Sequence, residues 1–323
     1  MKQIQHFDAT TVQEAVSLLS QNQGNAAVIA GGTDLLGLMK DKVLPNLPGV
    51  LVNIKNIPNM NTISEQSGVL TIGATATLSD IATNSTITSK YPLLAQAASS
   101  ASAPALRNMG TIGGNIRQAT RCWYYRAMNN YFNCLRKGGN MCYATAGDNR
   151  LHGILGAGGC YMAHPSDLAP ALIAMGASVS VTGPSASRTI KVQDMYTALG
   201  DTIAQDEIIT AVTVPTPSAG TTGVYLKFRF RKSIEFPVIG VAASITVSGG
   251  NVTNATIALA GASPQPIRAS AAESAMVGQA ITATTAAAAA TAGVQNFVPL
   301  TMNKYKVTIA QTLITNAILA CAT

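Results

Sequence analysis

Four of the five cysteines in this 323-residue chain fall in one stretch: Cys122, Cys134, Cys142 and Cys160, separated by eleven, seven and seventeen residues. From Thr120 to Cys160 the sequence follows neither a helical nor a strand period. A loop that long inside a compact domain is usually functional. Residues 1–10 lack the apolar core of a secretory signal, so clustered thiols read first as ligands and second as disulfides. The spacing is neither the compact ferredoxin run nor a pair of C-x-x-C zinc knuckles. On spacing alone an iron–sulfur cluster, zinc, and free or bridged thiols all stay open. Arg121, Arg126, Arg136 and Lys137 would favour thiolates or offset a cluster's negative charge. Gly138-Gly139 and the glycines between 156 and 159 let the loop close on a compact object. Cys321 stands apart, with no role assigned.

Before this loop come two glycine turns. Val12, Ala15, Val16 and Leu19 recur at helical spacing and predict a helix over 11–21. Ala26 to Ala30 reads as a buried strand, Gly31-Gly32 as a turn, and Thr33 or Asp34 as the cap of a helix to about Lys42. Strands are expected at 50–54 and 68–73, helices at 77–83 and 91–101. Gly110 to Asn115 forms the second turn. Glycines let backbone N–H groups approach a ligand closely, and a helix N-terminus favours an anion, so a pyrophosphate suits both turns. Neither is a P-loop or a G-x-G-x-x-G fingerprint. Two such turns would grip a dinucleotide from both sides; the alternative is a tight crossing between subdomains.

After the loop, Ser166-Asp167 opens a helix to about Met175, followed by strands at 178–182 and 208–214. Asp167 is either a cap or an acceptor for a ribose hydroxyl or flavin N–H. His152 and His164 have no carboxylate at partner spacing and read as structural, and Glu207 reads as a surface turn. Trp123, Tyr124 and Tyr125 read as packing around the cysteine loop. Pro215-Thr216-Pro217 marks a boundary, giving domains 1–217 and 218–323. Beyond it, strands at 225–230, 238–247 and 256–260 precede a helix-rich tail that includes Ala280 to Ala292. Strands followed by helices indicate α+β rather than a doubly wound sheet. Charged residues are only 11%, so uncharged polar side chains cover the surface or partner subunits bury part of it. The net charge of +7 includes one short cluster, Lys227, Arg229, Arg231 and Lys232, without a reader motif, which argues against nucleic acid. No apolar run of about 18 residues is present to span a membrane.

Together these segments resemble the medium, FAD-binding subunit of the xanthine dehydrogenase or carbon monoxide dehydrogenase type of molybdenum hydroxylase. The resemblance rests on Ala30-Gly31-Gly32-Thr33-Asp34-Leu35; on Arg107-Asn108 with Thr111-Ile112-Gly113-Gly114-Asn115; and on Ser166-Asp167-Leu168 with Pro170. It extends to Lys227 and Arg231, and to Ile257 through Ala262 with Pro264, Pro266, Ile267 and Arg268. In most members the Gly-Gly-Asn turn runs almost directly into the Ser-Asp-Leu helix; here residues 120–160 intervene. That insertion is similar to one in the β subunit of 4-hydroxybenzoyl-CoA reductase and in the FAD subunit of periplasmic aldehyde oxidoreductases, where it binds a [4Fe-4S] cluster.

The resemblance implies a p-cresol methylhydroxylase-type FAD domain of two α+β subdomains, then a smaller α+β domain. It places FAD on Ala27, Val28, Ile29, Ala30, Gly31, Gly32, Thr33, Asp34 and Leu35, on Asn108, Thr111, Gly113, Gly114 and Asn115, and beside Asp167 and Lys227. It makes Cys122, Cys134, Cys142 and Cys160 the ligands of a [4Fe-4S] cluster. Phe236-Pro237 departs from the family pattern near the flavin. The implied partners are a large subunit with the molybdenum cofactor, a small subunit with [2Fe-2S] clusters, and a carrier such as ferredoxin. Substrate chemistry on an aldehyde or heteroaromatic ring would lie on the large subunit. Electrons would pass through this chain outward, or inward as in 4-hydroxybenzoyl-CoA reductase. A stand-alone flavin oxidase and a zinc-stapled scaffold are the competing readings. Without a targeting segment the chain would be cytoplasmic, or periplasmic by export with a partner.

Overall fold

The computed structural model describes residues 3–232 and 234–322. Three sheets follow one another along the chain. The first is built from β1 (Gln5–Asp8), α1 (Val12–Gln21), β2 (Ala26–Ile29), α2 (Leu35–Lys40) and β3 (Val50–Asn53). Its strands are parallel in the order β1-β3-β2, and β3 is buried along its whole length. Helix α1 starts where the Thr11 hydroxyl accepts the Glu14 N–H and the Glu14 carboxylate accepts the Thr10 N–H. Its Ala15, Val16 and Leu19 face the core, as their spacing requires.

The second unit comprises β4 (Ile63–Gln66), β5 (Val69–Gly73), α3 (Leu78–Thr83), α4 (Ser85–Lys90), α5 (Pro92–Ser100), α6 (Pro104–Arg107) and α7 (Ile112–Ile116). The cysteine loop opens with the single turn α8 (Trp123–Arg126), and after the loop the unit continues through α9 (Leu168–Ala174), β6 (Ser178–Thr182), β7 (Ser187–Lys191) and β8 (Ile208–Pro215). Its five antiparallel strands run β4-β5-β8-β6-β7. The edge strands β4 and β7 escape sequence reading because they carry little apolar alternation: Ser187–Lys191 is exposed at four of five positions. Helix α4 escapes for a related reason, burying only Ile87 and depending on the Asn84 cap.

The third unit holds β9 (Thr221–Phe228), β10 (Ile239–Ser248), β11 (Asn251–Ala260), β12 (Ile267–Arg268), α10 (Ser270–Met276), α11 (Ala283–Val294) and α12 (Tyr305–Leu319). Its antiparallel sheet runs β12-β11-β10-β9. Strand β9 begins four residues before the expected 225–230 and stops at Phe228, where pairing with β10 ends. A small apolar cluster joins this sheet to the rest: Leu93 and Ala97 of α5 and Ala171 and Ala174 of α9 meet Tyr225 and Ala242. Among the described residues no helix is long and apolar enough to cross a membrane.

Candidate functional site

The chain leaves β2 through Gly31-Gly32, with Gly32 at φ +69°, and turns into α2. This turn borders a cavity of about 780 Å³, within the usual range for small-molecule sites. Ala27, Val28, Ile29, Ala30, Gly31, Gly32, Thr33, Asp34 and Leu35 all line it; so do Thr111, Gly113, Gly114, Asn115 and Asp167. Gly31 packs so closely on the second turn that a β-carbon there would lie 1.9 Å from the Met109 carbonyl oxygen.

The two turns are not equivalent donors, which corrects the expectation from sequence. The N–H groups of Gly31, Gly32, Thr33 and Asp34 donate to no acceptor among the described residues. In the second turn the Ile112 N–H goes to Ala76, Gly113 to Ala74, Asn115 to the Thr111 carbonyl and Gly114 to the Thr111 hydroxyl. The Asn115 side-chain oxygen accepts the Ser166 hydroxyl. The first turn therefore offers the row of free donors that an anionic diphosphate needs. The second shapes the wall.

Asp34 does not cap α2 with its side chain. Its carboxylate instead pairs with Arg121 at 2.9 Å and with Arg126, and accepts the Ala119 N–H at 2.8 Å. Asp167 likewise leaves capping to its neighbour: the Ser166 hydroxyl accepts the Ala169 N–H. The Asp167 carboxylate accepts the Tyr225 hydroxyl at 2.6 Å and the Lys227 ammonium at 3.0 Å. Burial pushes the Asp167 carboxyl up, and Lys227 and Tyr225 pull it back. Lys227 does not line the cavity; it acts on it only through Asp167. Asn108 does not line it either and closes the short helix α6. Sequence reading missed Arg117, Gln118 and Arg121, which line the cavity just after the second turn. Phe236 also lines it, with the Arg121 guanidinium 4.5 Å over its ring.

The Asp167–Lys227 pair is 4% exposed on both sides. Removing one partner strands the other as a buried charge. Lys227→Met is expected to lower unfolding free energy by about 3–5 kcal/mol in chemical denaturation, and the double variant Asp167→Asn/Lys227→Met to recover part of it.

The cysteine loop folds as single turns, α8 and three 3₁₀ turns at Met128–Asn130, Leu135–Lys137 and Tyr143–Thr145. Cys122, Cys134, Cys142 and Cys160, all free thiols, line one small cavity of about 20 Å³. Tyr124, Tyr125 and Tyr143 wall it, and Tyr125 packs with Cys134, Leu38 and Val43. Backbone N–H groups point at the sulfurs, among them Met162 N–H to Cys160 Sγ at 3.5 Å. Cys142 is drawn down to about 6, mainly because the Cys160 thiol hydrogen-bonds it; Cys160 is pushed up in turn. Burial pushes Cys122 up to about 11. Among the described residues no group of three or more His, Cys, Asp and Glu is arranged to hold a single metal ion. A cubane takes one thiolate per iron and spaces its ligands more widely than one zinc does. Four free thiols, the N–H groups aimed at them and the nearby Arg136 are the donor chemistry that such a cluster would use.

The third unit fastens the loop. Asn149 donates to Ala144 and Thr301 and accepts the Met302 N–H. Asn303 donates to the carbonyls of His152 and Gly153. The Lys306 ammonium, fully buried and pulled down to about 7 by that burial, donates to His152 and Gly261 carbonyls at 2.8 and 2.7 Å. The two histidines that flank the loop's end are both buried. His152 places Nε2 3.1 Å from Cys122 Sγ, and His164 packs edge-on against Tyr196.

Burial, with a smaller push from Arg136, lowers His164 to about 3. An unfolded histidine titrates near 6.5. Between these values the unfolded chain takes up a proton that the folded chain refuses. Stability is therefore expected to fall on acidification from about pH 6.5 to about pH 3, by about 1.4 kcal/mol per pH unit from this residue. Thermal melting across that range checks it; His164→Gln should flatten the slope.

The FAD binding domain in molybdopterin dehydrogenase matches residues 2–217, and the CO dehydrogenase flavoprotein C-terminal domain matches residues 224–321. The chain is 33% identical over 281 residues to the aldehyde oxidoreductase FAD-binding subunit PaoB of Escherichia coli, covering 84% of this chain and 86% of that protein. It is 29% identical over 286 residues to the carbon monoxide dehydrogenase medium chain of Hydrogenophaga pseudoflava, covering 88% and 83%. A solved structure of carbon monoxide dehydrogenase from that organism superposes with a TM-score of 0.79 at 27% identity over 99% of both chains. With the diphosphate-ready turn and the cavity behind it, these matches identify an oxidoreductase subunit that binds FAD: the chain belongs to the FAD-binding subunits of the molybdenum hydroxylase family.

Proposed function

We propose that this chain is the electron-transfer subunit of a heteromeric molybdenum hydroxylase and that it carries a [4Fe-4S] cluster besides FAD. The observation that carries the reading is the convergence of Cys122, Cys134, Cys142 and Cys160 on one cavity, from a loop with no regular fold of its own. When bound, FAD supplies the exchange between two-electron and one-electron chemistry, and a four-iron cluster supplies one-electron transfer. The chain's own work is to hold and tune them. Gly31 to Asp34 offer donors to the diphosphate, Asp167 presents a charge-paired carboxylate at the wall, and the four thiols enclose the iron. The aldehyde oxidoreductase relative favours an aldehyde as the substrate of the complex. The partners are a large subunit with the molybdenum cofactor and a small subunit with [2Fe-2S] clusters, together with an external carrier such as ferredoxin.

A self-sufficient flavin oxidase would need a free base at the flavin. Asp34, Asp167, Asp201 and Glu207 line the cavity, and each is held in an ion pair, with Arg121 and Arg126, Lys227, Arg117 and Arg188. Anaerobic purification with partners tests the proposal. The expected result is a flavin spectrum over a broad iron–sulfur absorption, about four irons per chain, and no substrate turnover by the isolated chain. Zinc in place of iron, or turnover without partners, would overturn it.

A further inference from the structure

One side chain from the start of the cysteine loop reaches into the lining of the flavin cavity. Arg121 immediately precedes Cys122. Its guanidinium nevertheless lines the flavin cavity, 4.5 Å over Phe236. Nη1 pairs with Asp34 at 2.9 Å and Nη2 donates to Gln118 at 3.0 Å. Nε is buried and has no acceptor among the described residues. A guanidinium carries five donors in a rigid fork, and with 28% of the side chain exposed the Nη donors that Asp34 and Gln118 leave unused stay open to a ligand. The cavity it lines is the FAD cavity.

The other end of this link is equally fixed. The Asp34 carboxylate takes three donors from the start of the insertion: Arg121, Arg126 and the Ala119 N–H. Arg126 Nε also donates to the Thr120 carbonyl at 2.7 Å, and the Thr120 hydroxyl accepts the Cys122 N–H at 3.1 Å. Asp34 ends the row of free N–H groups in the first glycine turn. The segment that presents Cys122 to its cavity is thus tied to the same carboxylate as the turn that faces FAD.

We infer that Arg121 is an FAD-binding residue supplied by the cysteine insertion, and that through it the FAD and iron–sulfur sites strengthen each other's occupancy. The inference rests on the proposed [4Fe-4S] reading. Coupling of this kind is reciprocal: if the cluster tightens FAD binding, FAD tightens cluster retention by the same factor.

The test is an FAD titration, read by flavin fluorescence, of the full chain with its cluster and after removal of iron by chelator under oxidising conditions. In the native sequence, cluster removal should weaken FAD binding roughly tenfold. In Arg121→Gln the cluster-loaded protein should already bind FAD about tenfold more weakly, and removing the cluster should change it by less than about threefold. Arg121→Lys keeps the charge beside Asp34 but lacks the guanidinium fork. It should melt like the native chain yet fail to restore FAD affinity, which keeps the test decisive if Arg121→Gln folds poorly. Native FAD affinity in Arg121→Lys, or coupling undiminished by either change, overturns the inference. If iron binds but its removal leaves FAD affinity unchanged, this inference fails and the electron-transfer reading stands. If no preparation takes up iron, both fall.

Discussion

Cys134→Ser is expected to cut iron from about four per chain to less than one and to remove the broad visible absorption, while the protein still takes up FAD. A cluster that loses one of four thiolates loses the ligand to one iron, and the buried hydroxyl that replaces it is a poor thiolate substitute. Cys134 is the most informative of the four because it also packs with Leu38, Val43 and Tyr125. Leu38 belongs to α2, directly behind the flavin turn. Iron analysis and absorption of anaerobically purified variants check the result. Full iron content in Cys134→Ser, with cluster absorption unchanged, would remove this residue from the ligand set. Cys321→Ser, far along the chain and buried in the third unit's core, should keep all its iron.

Gly31→Ala should abolish FAD binding, with affinity falling more than about a hundredfold. The new methyl would sit 1.9 Å from the Met109 carbonyl oxygen and 2.7 Å from its carbon. Those are backbone atoms, so no side chain can swing away. The two turns must separate, at a cost of about 1–3 kcal/mol in overpacking, and the diphosphate donors move with them. Gly37→Ala is the matched control. It lies in α2, nothing meets its added carbon within 4 Å, and it should keep FAD while gaining about 0.5–1 kcal/mol of stability. Flavin content after gel filtration separates the two outcomes.

The elements with strong apolar patterns were legible in the sequence: α1 through Ala15, Val16 and Leu19, and β3 through Val50, Leu51 and Val52. The glycine turns were legible as turns, and the cysteines as one group. What sequence could not supply was partner choice. Asp34 reads as a cap because Asp at a helix start usually is one. Only the fold brings Arg121 and Arg126 back onto it across some 90 residues, as the sequence separation of the Arg126 contact records. The second turn's donors looked free for a similar reason. Two of them reach Ala74 and Ala76, on a distant crossing that local pattern does not encode, while the other two close locally on Thr111. Lys227, expected beside the flavin, stands one residue back because Asp167 reaches it first.

The clasp formed by Asn303 and Lys306 on the carbonyls of residues 152 and 153 bears on biosynthesis. The ribosome delivers residues 301–306 about 140 residues after Cys160, the last cysteine of the loop. Until they dock, the carbonyl of His152, which abuts Cys122, lacks the Asn303 and Lys306 donors, and only its N–H is held, by the Asn149 carbonyl. The setting of Cys122 is therefore complete only once the third unit has closed on the loop. A chain cut before residue 301 keeps all four of those cysteines but loses the clasp, and is expected to take up less iron than the full chain.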